Sequence, residues 1–236
     1  MKILYVFPHP DDESFGTAHV MAKQLREGHE VYLLTLTKGG ATKVRFKYNY
    51  SVEEMGEVRY QEMKNVKSVL GLTGMTVLDL PDSGLKEMNP EEIEKAVVDE
   101  IMKIRPEVVV SYPVHGISGF QDHLVMHAVI KSVFCRLRKE HNFLKRLAFI
   151  TVSKEDSEVS EMFKLSFSNE DEIDCVIIAE DSDIKKAFEA LDCYVTFSET
   201  IEKSGIKKIL NHKVNFEIFQ EEHNPVLNDL FQNLEG

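Results

Sequence analysis

At 236 residues, 43% of them apolar, the chain is long enough to bury a full core and reads as a single α/β domain of the larger sort. A net charge of −12 argues against a nucleic-acid or anionic-membrane surface, because such partners draw basic patches. No apolar run approaches the roughly 18 residues of a membrane span, and residues 1–7 read as a strand rather than a signal peptide, so a cytoplasmic protein is expected.

The first element is an apolar strand over 2–7, of the kind covered on both faces in a parallel sheet. A helix-period run over 15–27 follows, closed by Gly28, then a strand over 30–36. Residues 37–51 form a loop holding the one basic island, Lys38, Lys43, Arg45 and Lys47, which either recruits an anionic substrate or is an ordinary solvated loop. Next come a helix over 52–70, a strand over 75–80, and a helix over 90–104 opened by Asn89-Pro90 with proline in its first turn. A strand over 107–112, a helix over 122–140 and a strand over 147–153 complete the alternation, which predicts a parallel sheet with right-handed crossovers. Beyond 153 the pattern weakens to a strand at 175–179, a helix at 182–192 and a half-buried strand at 214–219. Residues 154–236 are therefore expected to be an antiparallel extension of the 1–153 core that lines the substrate entrance, with His212 and His223 somewhere near it. Cys135, Cys175 and Cys193 lack any Cys-x-x-Cys spacing and read as core thiols.

Chemistry concentrates where strand 2–7 turns into the first helix, in Phe7-Pro8-His9-Pro10-Asp11-Asp12-Glu13-Ser14. Adjacent carboxylates repel, and three of them beside an imidazole at the end of a core strand call for a cation. Helix capping explains one acid there but not His9 and two prolines. The second source of ligands is Tyr112–His127, after strand 107–112. His9 and Asp12 joined by His123 make a His₂Asp set with a position open to water, the pattern of a catalytic zinc. His127, one helical turn after His123, is either an additional ligand or a polar helix-face group.

With Arg59-x-x-Glu62, Leu80-Pro81-Asp82-Ser83-Gly84 and Asp122-His123 following His-Pro-Asp-Asp-Glu at 9–13 in this order, the chain resembles the PIG-L/LmbE-like family of zinc-dependent N-acetylglucosamine deacetylases over about its first 150 residues. The resemblance implies a Rossmann-like fold and hydrolysis of an N-acetyl group on a glucosaminyl compound, a small amino-sugar substrate. It also implies zinc on His9, Asp12 and His123, with Asp11 as the general base. Glu13 and Asp122 are expected to orient a ligand imidazole through its other ring nitrogen. By spacing alone Arg59 is an exposed helix cation paired with Glu62 or Glu57; the resemblance promotes it to a sugar or phosphate contact, and Asp82 to a sugar-hydroxyl acceptor.

One departure stands out. Where the family usually reads His-Pro-Asp-His, this chain has Phe120 and Gln121 in the first two places, and a phenyl ring cannot donate to an oxyanion. Losing one such donor typically costs about 10²–10³ in rate. His115, Gln121 and His127 are the available substitutes, with His115 in a glycine-flanked loop able to reach substrate. Three function classes follow: a metal-dependent amidohydrolase; a metal-binding relative with weak or no turnover that binds a small molecule; and a nucleotide-binding domain, disfavoured because the first turn lacks G-x-G-x-x-G. Another divalent metal in place of zinc, and self-association into a homo-oligomer, are both left open.

Overall fold

A computed structural model describes residues 1–159 and 164–234. The strands are β1 (Lys2–Phe7), β2 (Glu30–Thr37), β3 (Gly74–Leu80), β4 (Val108–Ser111), β5 (Arg146–Thr151), β6 (Cys175–Ile178) and β7 (Lys213–Ile218). They form one seven-stranded sheet in the order β3-β2-β1-β4-β5-β7-β6. The first five run parallel, β1 meeting β2 from Lys2↔Glu30 to Phe7↔Thr35 and β4 from Ile3↔Val108 to Tyr5↔Val110. β7 is antiparallel to both β5 and β6, so the extension closes one edge of the same sheet.

The helices are α1 (Asp12–Gly16), α2 (Ala18–Arg26), α3 (Val52–Leu70), α4 (Pro90–Ile104), α5 (Gln121–Glu140), α6 (Lys154–Ser157), α7 (Asp181–Asp192), α8 (Ser198–Ser204) and α9 (Ile206–Ile209). Alternate residues of β1 feed the two faces of the sheet. Ile3, Tyr5 and Phe7 pack with α2, α3, α7 and α8, while Leu4 and Val6 pack with α4 and α5. The strand order reverses direction of winding between β1 and β4, and in open α/β sheets such a switch point opens a crevice at the carboxyl ends of its two strands.

Local chemistry sets the helix ends. Ser51 and Glu54 close a reciprocal capping box on α3, and Asn89 caps α4 ahead of Pro90. The single helix expected over 15–27 is instead two, starting at Asp12 and broken at Thr17, which leaves helical φ/ψ (−130°, −8°) and turns its hydroxyl back onto the Glu13 carbonyl at 3.1 Å. The expectation of three core thiols is corrected: Cys175 is buried, but Cys135 and Cys193 are half-buried, and all three are free. Part of loop 37–51 is a 3₁₀ helix over Lys43–Tyr48. Its basic residues stay out of the central cavity; Lys38 pairs with Glu57 and Asp79, and Lys47 with Glu199 at 2.7 Å. Among the described residues no helix is long and apolar enough to cross a membrane.

Candidate metal centre

The turn after β1 and the helix after β4 meet at the switch point. His9, Asp12 and His123 each offer one ligand atom within 4.8 Å of the others. His9 Nδ1 lies 3.6 Å from Asp12 Oδ2, and His123 Nε2 lies 3.4 Å from Asp12 Oδ1. Asp12 is fixed by the His9 amide at 2.9 Å and the Tyr112 hydroxyl at 2.9 Å.

The hydrogen bonds decide which ring nitrogens are free. His123 Nδ1 is 2.9 Å from the Gly116 carbonyl, which can only accept, so Nδ1 carries a proton and Nε2 is the nitrogen turned to Asp12. Nε2 is buried and has no hydrogen-bond partner, an orphaned polar atom that a metal would satisfy. His9 Nε2 points to Asp122 at 3.0 Å and Asp82 at 3.5 Å, which leaves Nδ1 on the Asp12 side. Asp122 is itself held by the backbone N–H groups of Ser83 at 2.9 Å and Leu85 at 3.3 Å. Burial works against a charged His9, yet hydrogen bonds to Asp12 and Asp122 and the nearby Asp82 hold its pKa up at about 10. Burial likewise opposes ionisation of Asp12, but the His123 and His9 imidazoles outweigh it and hold the carboxyl well below the usual range. A field this favourable to a proton also favours a divalent cation, and two imidazoles with a carboxylate are a donor set zinc accepts. The residues fit a metal.

Gly116 is required where it stands. At φ +63°, with an added Cβ only 2.8 Å from His123 Cβ, no other residue lets its carbonyl come so close to the imidazole. Tyr112 stacks on His123, centroids 4.0 Å apart and planes inclined by 10°.

Asp11, unlike Asp12, pairs with neither imidazole. It has φ +80°, and its carboxylate Oδ2 accepts from Arg59 Nη2 at 2.7 Å. Arg59 also donates to the carbonyls of Pro10 at 2.8 Å and Gly39 at 3.2 Å, and stacks over Phe197 at 4.0 Å. Burial pushes the Asp11 carboxyl up to about 6, with Arg59 opposing the rise and Asp12 adding to it.

The expectation that Arg59 is an exposed cation paired with Glu62 or Glu57 is corrected. It is 3% exposed, and Glu62 is spent on the Thr196 amide and hydroxyl at 2.7 and 2.9 Å. The reading of Glu13 as an orienter of a ligand imidazole is corrected as well. Its position in the first turn of α1 aims it toward Tyr194, whose hydroxyl donates to Glu13 Oε1 at 2.8 Å and accepts from the Asp11 amide at 2.9 Å. Glu13 is fully buried, and burial pushes its carboxyl up to about 7.

The remaining residues divide. Asp82 lines the cavity, but its Oδ2 already accepts from the Ala41 amide at 2.7 Å. His115 does not line the cavity; Nδ1 accepts from the Ile117 amide at 3.1 Å and Nε2 lies 3.4 Å from Ser168. His127 does not line it either, and donates to the Tyr112 carbonyl at 3.0 Å, so it braces the backbone that carries the Tyr112 ring. Gln121, Phe120 and Ser118 do line it. His212 and His223 stay outside, bound to the Ala179 carbonyl and Glu221.

Tyr112 and Tyr194 were not apparent as site residues in the sequence. For Tyr112 a signal existed, a tyrosine closing the strand that feeds the His123 segment; for Tyr194 there was none. We expect Tyr194→Phe to keep the metal and KM while lowering kcat about tenfold, because the Asp11 amide and Glu13 lose their shared partner, a loss worth about 1–3 kcal/mol for buried polar groups. Steady-state kinetics with metal counting checks this; unchanged kcat would make the contact incidental.

Comparison with known proteins supplies the family. The family model for PIG-L, GlcNAc-PI de-N-acetylase, matches residues 4–134. A 1D-myo-inositol 2-acetamido-2-deoxy-alpha-D-glucopyranoside deacetylase from Thermomonospora curvata is 32% identical over 149 residues, covering 54% of this chain and 50% of that protein. A mycothiol S-conjugate amidase from Streptomyces coelicolor is 32% identical over 152 residues, covering 57% and 52%. The chain thus spans about half the length of the curated relatives it matches. Among solved structures, a zinc-inhibited teicoplanin deacetylase superposes with a TM-score of 0.73 at 10% identity over 94% of this chain and 99% of that one. A 4-carboxy-2-hydroxymuconate hydratase from Pseudomonas putida KT2440 gives 0.68 at 12% identity over 94% and 97%. These structural likenesses show the fold, which hosts more than one reaction. The family match spans more than half of the sequence and includes both strand-end clusters, and on that ground the chain belongs to the PIG-L family of GlcNAc-PI de-N-acetylases.

Proposed function

We propose that the protein is a metal-dependent amidohydrolase that removes the N-acetyl group from an N-acetylglucosaminyl-type compound. The observation that carries this reading is the free, buried Nε2 of His123 facing Asp12 and His9, with a carboxylate of raised pKa, Asp11, beside them. A divalent cation on His9, Asp12 and His123, zinc by preference, would supply Lewis acidity, lowering the pKa of a water and polarising the amide oxygen.

The chain's own residues do the rest. Asp11 takes the proton of the attacking water on Oδ1, the oxygen that Arg59 leaves free. As the C–N bond breaks, Asp11 returns that proton to the departing nitrogen, giving acetate and the free amine. Arg59 keeps Asp11 from turning away, and Asp122 keeps His9 oriented. Asp82 and Arg59, both on the cavity wall, are the contacts proposed for sugar hydroxyls. Of the three groups considered in place of the donor missing at Phe120, only Gln121 lines the cavity.

The pH dependence follows from Asp11. A base must be unprotonated, so kcat/KM is expected to fall about tenfold per unit as pH drops below the Asp11 pKa, which burial raises to about 6 without metal, and to level off above it. A bound cation draws this limb to lower pH. Metal-saturated pH–rate profiles check it, and an acid limb that persists in Asp11→Asn would exclude Asp11 as its source.

Phe120 favours a second reading, a relative that binds metal and a small molecule with little turnover. Its ring lines the cavity, 54% exposed and 5.5 Å from His123, and has nothing to donate. Acetate release from N-acetylglucosamine conjugates, measured with metal content on wild type and Asp11→Ala, separates the two. Release that needs Asp11 supports the enzyme; stoichiometric metal without release across a broad panel supports the binder.

A further inference from the structure

The loop between β4 and α5 has an uncommon backbone. Ile117 has φ +57°, with Gly116 at +63° and Gly119 at +71° beside it. Glycine tolerates that region, but a β-branched residue there is strained, because its side chain crowds the backbone. The Ser118 amide donates to the Gly116 carbonyl at 2.7 Å, two residues back, and so closes a γ-turn centred on Ile117. With positive φ at its centre this is the rare, strained form of the turn. Strain of this kind persists only where the surroundings over-determine it, and it gathers at functional sites.

Three contacts hold Ile117 in place. Its carbonyl accepts from the Ser166 amide at 2.7 Å, its side chain packs against the core on the α2 face of the sheet, and its amide donates to Nδ1 of His115 at 3.1 Å. The last contact defines His115. Because Nδ1 accepts, the ring proton is on Nε2, which lies 3.4 Å from the Ser168 hydroxyl; Ser168 donates in turn to Glu217 on β7. Burial, opposed by Glu172, pushes the His115 pKa down, which keeps the imidazole neutral and the Nδ1 lone pair available. A serine, a histidine and a glutamate in contact have the outline of a nucleophilic triad. An Nε2 that already carries its proton cannot take one from Ser168, however, and Ser168 is 2% exposed.

What the turn serves is on its other side. The Gly116 carbonyl that closes it also accepts from His123 Nδ1 at 2.9 Å, and the Ser118 hydroxyl lies 3.2 Å from that nitrogen. Both groups that face Nδ1 thus come from the turn, and the direction in which they point follows from the backbone at Ile117. Outer partners of this kind set the orientation of a ligand imidazole.

We propose that His115 is a positioning residue for the His123 imidazole: by holding the strained γ-turn at Ile117 it aims the Gly116 carbonyl and the Ser118 hydroxyl at Nδ1, and so directs Nε2 toward Asp12. The inference rests on the metal-centre reading, in which that Nε2 is a ligand atom. It gives His115 a task that needs no contact with substrate.

The test compares His115→Asn with His115→Ala. Asparagine at 115 offers its side-chain oxygen to the amide two residues on, the geometry of an Asx-turn, and restores the acceptor; alanine has none. The first readout uses metal-free protein. The Nδ1 proton of His123, identified by its absence in His123→Asn, is followed by proton NMR of nitrogen-labelled protein. It is expected to be resolved in wild type and His115→Asn and lost to exchange with water in His115→Ala. The second readout is zinc affinity, by competition with a chelator. Outer partners of a ligand imidazole contribute about 10–100-fold to metal affinity, so His115→Ala is expected to bind zinc about tenfold more weakly, and His115→Asn within about threefold of wild type. Ser118→Pro removes the closing amide and drives Ile117 out of the left-handed region, and should reproduce the alanine result. If it does not fold, the His115 pair decides alone. A lower melting temperature in His115→Ala, with the resonance and the zinc affinity of wild type, would leave the contact a prop of the fold and overturn the proposal while the metal reading stands. A wild type without the resonance overturns it too. The resonance kept by asparagine and lost with alanine, in a protein that binds no zinc, sustains the role of His115 and sinks the metal reading.

Discussion

Asp11→Asn is expected to lower N-deacetylation by about 10²–10⁴-fold, the usual contribution of a positioned general base, while the metal stays bound. Asparagine has the same shape and still accepts from Arg59 Nη2 through its carbonyl oxygen, so the backbone at φ +80° keeps its place. It cannot take a proton from water. The three residues proposed to hold the metal are untouched, because Asp11 makes no hydrogen bond to either imidazole or to Asp12. Substrate turnover and metal content, measured on the same preparations, check this. A variant within a few-fold of wild type would transfer the proton to some other group, and Glu13 is poorly placed to receive it, sealed as it is against Tyr194 and Ser14.

The second large effect is expected at Asp12. This residue sits between the two imidazoles, with an oxygen facing each, and accepts from the His9 amide and the Tyr112 hydroxyl. Asp12→Ala removes a proposed ligand and leaves both donors unanswered. Loss of an outer partner alone costs 10–100-fold in metal affinity, so losing a ligand is expected to weaken binding by more than about 100-fold and to abolish activity. Metal per chain after dialysis, with competition titration against a chelator, is the measurement. Metal held as tightly by the variant as by wild type would place the ion elsewhere, for which His9, Asp82 and Asp122 offer the other cluster in reach.

What could be read from the sequence was whatever local chemistry determines. The His-Pro-Asp-Asp-Glu cluster is contiguous, so its excess of carboxylates was visible without a fold. The ends of α3 and α4 follow from Ser51 with Glu54 and from Asn89-Pro90, signals that act within four residues. The strands could be placed because buried parallel strands are uniformly apolar. The failures share one cause, partners remote in sequence. Arg59 looked exposed because its neighbours on α3 are charged, yet it reaches Pro10, Asp11 and Gly39 across the sheet edge. Glu13 looked like a companion of His9 because they are four residues apart, and only the packing of the segment after α7 shows that it answers Tyr194. Helix α1 could not be told from α2, since both share one amphipathic period and only the Thr17 hydroxyl, bonded to the Glu13 carbonyl, breaks it.

The bond from the Asp11 amide to Tyr194 also bears on modularity. The stretch matched by the family ends at residue 134, yet the loop bearing Asp11 is steadied from a position far downstream. Grafting the matched half onto a different tail, or excising it as a minimal catalyst, would transplant the proposed ligands without the contact that steadies Asp11. A change at Tyr194, outside the matched stretch, thereby reaches the Asp11 loop directly.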